Sequence, residues 1–350
     1  MSLENQRVLE SLERLAAALK DLPDRTSPEN LSHWRINRPE GVETAFKILE
    51  QGNQLVSATS TKYTLVTKID IEEGSKLAKD LLQGCELLGT AALVIHDNAM
   101  GCSRSMRKLV KHAVRAVVHT CISLLQVFLV AGGSTKNAAP KTGAIWDACE
   151  KVTKLPTNNR NAMRRDLFTW MVECQDTLQE FSELLQLPTS TSETETTYEM
   201  FTAGQSDDYS PNELPIATAS LALIKCSRGS INVAIQACEA VGAVADDAEN
   251  NNSNKELLLS WIVKLHDFSR TVGDGMTDLG SLLYPPLDVD DLGDEVTSQC
   301  NAIVELHKMI ILDDPPIDID FASDLVQLAT NISTAAQARA QEAQDGMEQL

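Results

Sequence analysis

Residues 103–131 read SRSMRKLVKHAVRAVVHTCISLLQVFLVA, and this stretch decides the fold class. Its apolar residues recur at steps of three and four, which is the spacing of one face of an α-helix. Ser103 is a favourable helix N-cap, and Gly132-Gly133 marks the end of the helix. We interpret the stretch as a core helix and not as a membrane span, because its apolar second half is interrupted by Arg115, His119 and Gln126.

The same helical spacing recurs on both sides of this stretch. Prolines and glycines separate the periodic segments, and we find no alternation typical of strands. The sequence therefore predicts an all-α protein of roughly ten helices, arranged in two antiparallel bundles. The predicted helices are 3–22, 42–63, 71–99, 103–131, 142–152, 158–187, 214–244, 255–284, 291–312 and 321–350.

The uneven distribution of charge predicts how the chain divides into domains. Residues 1–187 hold 23 Lys+Arg and 22 Asp+Glu, residues 188–213 hold six acids and no base, and residues 214–350 hold 7 bases and 22 acids. We predict an N-terminal bundle over 1–187, an acidic Ser/Thr-rich linker over 188–213 and an acidic C-terminal bundle over 214–350. The acidic balance argues against nucleic-acid binding, since phosphate binding needs clustered positive charge.

The start of the helix predicted over 103–131 is rich in basic residues. Four of them, Arg104, Lys108, Lys111 and Arg115, have the spacing of one helix face. Such a face is either ordinary solvated surface, paired with the acidic second half of the chain, or a docking site for an acidic partner. We predict these four residues as the partner-binding site. The face lacks interleaved aromatic residues, which argues against DNA recognition.

The eight cysteines and the N-terminus indicate the compartment. None of the cysteines forms a C-x-x-C pair, so we predict buried free thiols rather than a zinc site or a disulfide framework. The sequence MSLENQRVLESLERL at the N-terminus is charged and amphipathic, which is not typical of a signal peptide. We therefore expect a protein of the cytoplasm and nucleus without membrane partners.

One motif raises the alternative of an enzyme. Asp290-Asp291-x-x-Asp294 matches the magnesium–diphosphate motif of all-helical isoprenoid synthases. That chemistry requires carboxylates that converge on an apolar cavity, whereas the chain is poor in the aromatic residues that would line one. Acids at the start of a helix are also stabilised by capping and by the helix dipole, and we favour this interpretation. We predict no catalytic residue, no metal, no cofactor and no small-molecule substrate.

Several stretches occur in an order that points to a family. They are R-K-L-V at 107–110, I-W-D-A-C-E-K-V-T-K-L-P at 145–156, N-N-R-N-A-M-R-R at 158–165, the acidic linker, and L-Y-P-P-L at 283–287. Together they resemble the cyclin-D-interacting (cyclin-D-binding) protein family, and the resemblance covers most of residues 70–290. It implies an all-helical, non-enzymatic regulator, related in architecture to the bundles of vinculin and α-catenin.

The resemblance also implies partners. Members of the family are described as binding D-type cyclins and helix-loop-helix transcription factors, as restraining cell-cycle entry, and as residing in nucleus and cytoplasm. They are called helix-loop-helix-like, without a DNA-binding basic region. The leading hypothesis is therefore a protein–protein interaction module that sequesters a D-type cyclin or a helix-loop-helix protein. A cytoskeletal adaptor is the alternative that the bundle shape alone favours.

Overall fold

The computed structural model describes residues 3–23, 31–35, 38–66, 70–129, 135–186, 209–247, 252–311 and 323–350. Every regular element among these residues is a helix: ten α-helices and one 3₁₀ turn, Asn98–Met100. The prediction of an all-α protein is confirmed. The likeness to vinculin and α-catenin stays a prediction.

Nine of the helices begin and end within three residues of the predicted bounds. The exception is α5, which begins seven residues earlier than predicted and contains Pro140. Pro140 is exposed, so the backbone hydrogen bond that proline removes lies on the solvent side of the helix. The helices are α1 Leu3–Lys20, α2 Glu40–Val66, α3 Ile71–His96, α4 Arg104–Leu129, α5 Thr135–Thr153, α6 Asn159–Gln186, α7 Glu213–Asp247, α8 Asn252–Ser281, α9 Val289–Ile311 and α10 Ser323–Met347.

The chain forms two compact units, Met1–Met163 and Arg164–Leu350. This division differs from the predicted boundary at residue 187, because most of α6 packs with the second unit. The Cys174 thiol of α6 contacts the carbonyl of Ile224 in α7 at 3.5 Å, and the Trp170 ring lies against Gly273 of α8. The predicted linker over 188–213 falls outside the described residues up to position 208.

The first unit is a bundle of α2, α3, α4 and α5, and α1 lies against α3 and α4. The backbones of α2 and α3 approach closely at Gly52 and Gly84, where a Cβ on Gly52 would lie 2.8 Å from the Gly84 carbonyl oxygen. Only glycine permits this distance, so this pair fixes how α2 and α3 cross. A continuous apolar core extends through all five helices of the unit.

The turn before α4 is held by buried polar groups. Gly101 has a φ of 61°, in the left-handed region that favours glycine. The Ser103 hydroxyl accepts a hydrogen bond from a first-turn N–H of α4 at 3.2 Å, so the predicted N-cap is confirmed. Arg107 is fully buried, and its guanidinium donates to the Asn98 side chain at 3.2 Å and to the Asp97 carbonyl at 3.3 Å.

The second unit is a bundle of α7, α8, α9 and α10, in which α7 also contacts α9. The start of α7 carries a reciprocal cap. The backbone N–H of Ser210 donates to the Glu213 carboxylate at 2.7 Å, and the N–H of Glu213 donates to the Ser210 hydroxyl at 3.3 Å. Just before this cap, the Tyr209 hydroxyl donates to the carbonyl of Leu283, two residues after the end of α8. These contacts fix the entry of the chain into the bundle.

Two sequence-based predictions concern the core helices. Among the described helices, α4 alone has the length and hydropathy of a membrane span, and its apolar face packs in the core of the first unit. All eight cysteines are free thiols, and seven of them are buried, which confirms the predicted buried thiols. Burial raises the pKa of Cys102, Cys149 and Cys174 to about 12, so these thiols stay protonated at neutral pH.

Candidate interaction surfaces

The four residues of the predicted basic face do not share one environment. Lys108 is exposed, and Arg104 and Arg115 are half-buried. Lys111 is only 6% exposed, and its ammonium group donates to the carbonyl of Leu22 at 3.0 Å. Lys111 therefore serves the packing of the first unit, and it does not belong to an exposed face.

The exposed face of α4 is rotated by one residue from the predicted face, so that position 112 and not 111 is exposed. His112 and His119 are exposed together with Lys108, and Arg104 and Arg115 flank them. The helix carries five Lys and Arg residues and no Asp or Glu. The outer face of α4 is therefore cationic, although its composition differs from the prediction at Lys111.

The outer face of α5 exposes a large aromatic ring. Trp146 is 48% exposed, while Ile145 and Cys149 on either side of it point into the core. One helical turn earlier, a Cβ at Gly143 would meet no atom within 4 Å, and Ala139 is exposed on the same side. The first half of this face is thus apolar and flat, with Trp146 at its edge.

A cleft of about 350 Å³ opens between α2 and the end of α5. Its apolar lining comes from Phe46 and Leu49 of α2, from Val152 of α5, and from Leu155, which follows the end of α5. Asn53 also lines the cleft. The remaining lining residues are Arg38, Glu43, Lys47, Glu50, Thr153 and Thr157.

Asn53 is the buried polar group of this cleft. It is 5% exposed, and its Nδ2 donates to the carbonyl of Cys149 in α5 at 3.1 Å. Within the part of the chain that the structure describes, its Oδ1 has no hydrogen-bond partner. Buried amide oxygens are hydrogen-bonded in most native proteins, so this oxygen requires an explanation.

The cleft and Trp146 lie along one seam. The Thr64 and Thr142 hydroxyls meet at 2.6 Å, and Asn53 reaches Cys149, so α2 and α5 are antiparallel. Trp146 precedes Thr153 of the cleft by two helical turns, which is about 10 Å along α5. We call this surface the α2–α5 face; it consists of the cleft, Trp146, Gly143 and Ala139.

The carboxylates of the enzyme alternative do not form a site. Asp290, Asp291 and Asp294 are all exposed at the start of α9, and the Asp288 side chain accepts from the N–H of Asp291 at 3.3 Å. Asp288 caps the helix, and Asp290 and Asp291 lie in its first turn, where the helix dipole stabilises acids, as the second interpretation predicts. Across the described ranges, no group of three His, Cys, Asp or Glu side chains could hold a metal ion. The converging acids that isoprenoid synthesis requires are not found at this motif.

Sequence reasoning missed three residues, Arg107, Trp146 and Asn53, and the sequence contains a signal for the first two. Extending the apolar face of α4 backwards from Val110 reaches Arg107, which predicts burial. Trp146 falls out of phase with the apolar stripe of α5, which predicts exposure of a large ring. No sequence signal distinguishes Asn53 from a surface asparagine, because its burial depends on α5, about a hundred residues away.

Two comparisons relate this chain to known proteins. The model of the family described as "Grap2 and cyclin-D-interacting, N-terminal" matches residues 48–187, a range that includes α3 to α6 and most of α2. A Xenopus laevis protein named Cyclin-D1-binding protein 1 homolog is 26% identical over 238 residues, which cover 66% of this chain and 69% of the relative. The resemblance to the cyclin-D-interacting protein family, first indicated by the ordered motifs, is therefore confirmed.

Proposed function

We propose that this protein is a non-enzymatic regulator that binds a D-type cyclin and thereby restrains cell-cycle progression. The match of residues 48–187 to the cyclin-D-interacting family carries the proposal. The relative from Xenopus laevis is named for binding cyclin D1, and it aligns with two thirds of the chain. The family likeness also supports helix-loop-helix proteins as further partners and residence in both cytoplasm and nucleus.

The α2–α5 face is the surface through which we propose that the cyclin is bound. An exposed Trp146 beside an apolar and flat helix face has the character of an interface anchor, because tryptophan is enriched among the residues that dominate binding energy. Both Trp146 and Asn53 lie inside the matched range 48–187. The proposal thus joins the family match to one face of the first unit.

Charge supports the proposal in a second way. Residues 1–163 carry 21 Lys+Arg and 17 Asp+Glu, a net of +4, and the outer face of α4 is cationic. Complementary charge accelerates encounter more than it strengthens the final complex. We therefore propose that the α4 face steers an acidic partner and that the α2–α5 face holds it.

Cyclin binding is tested with the purified full chain and a purified D-type cyclin by biolayer interferometry. We expect Trp146→Ala to weaken binding at least about tenfold, since the loss of an aromatic anchor that dominates binding energy exceeds about 1.4 kcal/mol. Leu93→Ala is the matched control, because Leu93 is 58% exposed on α3 of the same unit. Its affinity should stay within about twofold.

The possible results separate the function from the surface. If the unaltered protein does not bind a D-type cyclin, the proposed function is wrong. If Trp146→Ala binds as tightly as Leu93→Ala, the cyclin uses another surface and the α2–α5 face is wrong. The same variants measured against a helix-loop-helix protein show whether the two partners share a surface.

A further inference from the structure

We infer that a groove between α7 and α10 of the second unit binds an amphipathic helix of a partner protein, with basic side chains along one edge of that helix. The inference goes beyond the proposed function, because it concerns the other unit of the chain and a partner of different chemistry. It follows from the course of the groove, the small apolar side chains of one wall and the acidic end of the other.

The groove lies along two antiparallel helices. A Cβ at Gly346 would lie 2.8 Å from the Ile216 side chain, and a Cβ at Gly229 would lie 3.0 Å from Ile332, so the start of α7 packs against the end of α10. Beside the contact at Gly346 the surface opens into a groove of about 940 Å³. The start of α7 forms one wall of this groove and the end of α10 forms the other.

The α7 wall favours the apolar face of a helix. Leu214, Thr218 and Ala222 recur every four residues with Ala219 beside them, so they form a line about 12 Å long, which matches about two turns of an α-helix. The Thr218 hydroxyl donates within α7, to the carbonyl of Leu214 at 2.7 Å. Because both walls are helices, whose backbone groups bond internally, the groove offers no ladder to an extended strand. A helix satisfies its own backbone and is therefore the better occupant.

The α10 wall favours basic side chains in that occupant. Arg339 is the one base of α10, and it pairs with Glu342 at 2.5 Å. Asp345 lies in the last turn, where it accepts from the neutral Gln341 amide at 2.7 Å. The helix dipole is negative at this end, so a carboxylate there is unfavourable and a cation is favourable.

Other helices of the chain provide that cation themselves. A lysine lies in the last turn of α1, of α5 and of α9, whereas the last turn of α10 has no base. A lysine or arginine of the partner beside Asp345 would supply the missing positive charge. Among the described lining residues, those from α7 are uncharged, so the basic side chains are needed along one edge of the occupant only.

The charge of the whole unit favours the same class of partner. Residues 164–350 have a net charge of -24, which attracts a basic segment and repels an acidic one. Such complementarity accelerates encounter and excludes wrong partners. The groove then holds the helix by its apolar face, and the end of α10 fixes the direction in which the basic edge points.

The test uses peptides, so that its result is independent of the cyclin. A leucine–lysine amphipathic peptide of about 14 residues is titrated into the isotope-labelled full chain at physiological salt, and binding is followed by NMR chemical shifts. Two further peptides replace every lysine by glutamine or by glutamate. We expect the glutamine peptide to bind about tenfold more weakly than the lysine peptide, and the glutamate peptide more weakly still. The shifts should be centred on residues 214–222 and 339–346.

One pair of variants tests the groove. Thr218→Trp puts a large ring on the exposed α7 wall, and it should weaken binding of the lysine peptide at least about tenfold. Thr334→Trp is the matched control, because Thr334 is exposed on α10 outside the groove and its hydroxyl donates to the Thr330 carbonyl in the same way, at 3.0 Å. Its affinity should stay within about twofold.

A second pair of variants tests the charge. Asp345→Lys should weaken the lysine peptide about fivefold and strengthen the glutamate peptide, and the variant should fold because lysine suits the end of a helix. Asp274→Lys makes the same change of net charge at an exposed position of α8, and both affinities should stay within about twofold.

Several results overturn the inference. Equal affinity of the three peptides contradicts the basic edge, and shifts centred elsewhere or unaltered binding by Thr218→Trp contradict the groove. Equal weakening by Asp345→Lys and Asp274→Lys would show attraction to the net charge alone. Self-association in sedimentation velocity that Thr218→Trp abolishes would make a second copy of the chain the occupant. Peptide binding without cyclin binding contradicts the proposed function alone, and cyclin binding without peptide binding contradicts the groove alone.

Discussion

The two units of the chain contain the same number of helices but are held by different chemistry. Residues 1–163 have a net charge of +4, whereas residues 164–350 carry 9 Lys+Arg and 33 Asp+Glu, a net of -24. Each unit also buries one amide side chain that connects three segments: Asn159 in the first unit and Gln299 in the second. The difference between these two amides shows when a buried polar group stabilises a bundle.

Asn159 makes three hydrogen bonds and closes one end of the first unit. Its Oδ1 accepts from the N–H of Ser103 at 2.7 Å, and its Nδ2 donates to the carbonyls of His33 at 2.7 Å and Gly101 at 2.9 Å. These partners are segments without regular hydrogen bonding of their own, next to the cap of α4. Asn159 therefore replaces backbone pairing that the turn cannot provide.

Gln299 is buried to the same degree but is only half satisfied. Its Nε2 donates to the Ser227 hydroxyl of α7 at 2.7 Å and to the carbonyl of Val272 of α8 at 2.9 Å. Among the described residues, its Oε1 has no hydrogen-bond partner and packs against Gly275, where a Cβ would lie 2.4 Å away. In the Gln299 amide, the two hydrogen bonds of Nε2 stabilise the second unit, whereas the buried and unpaired Oε1 destabilises it.

The largest expected effect is that of Asn159→Leu. The change removes the acceptor of the buried Ser103 N–H and one donor each from the His33 and Gly101 carbonyls, and the loss of a buried hydrogen-bond partner costs about 1–3 kcal/mol. We expect the free energy of unfolding of the first unit to fall by about 3–5 kcal/mol. Denaturant titration combined with hydrogen exchange measures this, since exchange reports each unit separately.

The matched control is Asn161→Ala, at an exposed position in the first turn of the same helix. Among the described residues, the Asn161 side chain contacts the neighbouring Arg160 guanidinium at 3.4 Å and makes no other side-chain hydrogen bond. The free energy of unfolding should therefore change by less than about 0.5 kcal/mol. Faster hydrogen exchange confined to α7–α10 in the Asn159→Leu variant would contradict the prediction, because the change would then destabilise the second unit and not the first.

Local sequence signals were sufficient to predict most helix limits, whereas features that depend on long-range contacts could not be predicted. Ser103 and Gly132-Gly133 predict the limits of α4 because caps act within one turn. The membership of α6 could not be predicted in this way. It depends on pairs such as Asp166 with His266 at 3.4 Å, whose partners lie a hundred residues apart. The start of α5 was missed because proline ends most helices.

The same distinction applies to the candidate site. Lys111 was predicted on an exposed face from helical spacing, but the carbonyl of Leu22 draws it into the unit. Helical spacing assigns a side chain to a sector of the helix, and it does not show which neighbouring chain covers that sector. Trp146 and Asn53 are instances of the same limit, because the α2–α5 seam exists only after folding.

A second test sharpens the comparison through His307, which is fully buried in the second unit. Its Nδ1 lies 2.8 Å from the Ser333 hydroxyl, and desolvation lowers its pKa from 6.5 to about 4. His307 therefore binds a proton below about pH 6.5 in the unfolded chain, but only near pH 4 in the folded chain. The stability from this group is complete above pH 6.5 and is lost as the pH falls towards 4.

The expected loss at pH 4.5 is about 2–3 kcal/mol, from about 1.4 kcal/mol for each pH unit. His307→Gln should remove this dependence while keeping an amide that can bond Ser333. The measurement is the free energy of unfolding of both proteins at pH 7.5 and pH 4.5. The change in unfolding free energy between the two pH values is then compared for the two proteins. The contribution of the many acids in the second unit is the same in both and cancels. Parallel slopes would contradict the assignment of the pH dependence to His307.

The smallest expected effect is that of Gln299→Met, and it decides the comparison with Asn159. Methionine has a similar length and brings no buried acceptor, so the unpaired Oε1 is removed together with the two donated bonds. The Ser227 hydroxyl keeps its bond to the Leu223 carbonyl at 3.1 Å, and the Val272 carbonyl lies within α8, where the helix supplies its own donor. We therefore expect a change within about 1 kcal/mol, measured by denaturant titration at pH 7.5. A loss as large as that of Asn159→Leu would show that Gln299 holds α7, α8 and α9 together in spite of its unpaired oxygen. The contrast between the two units would then lie in their charge alone.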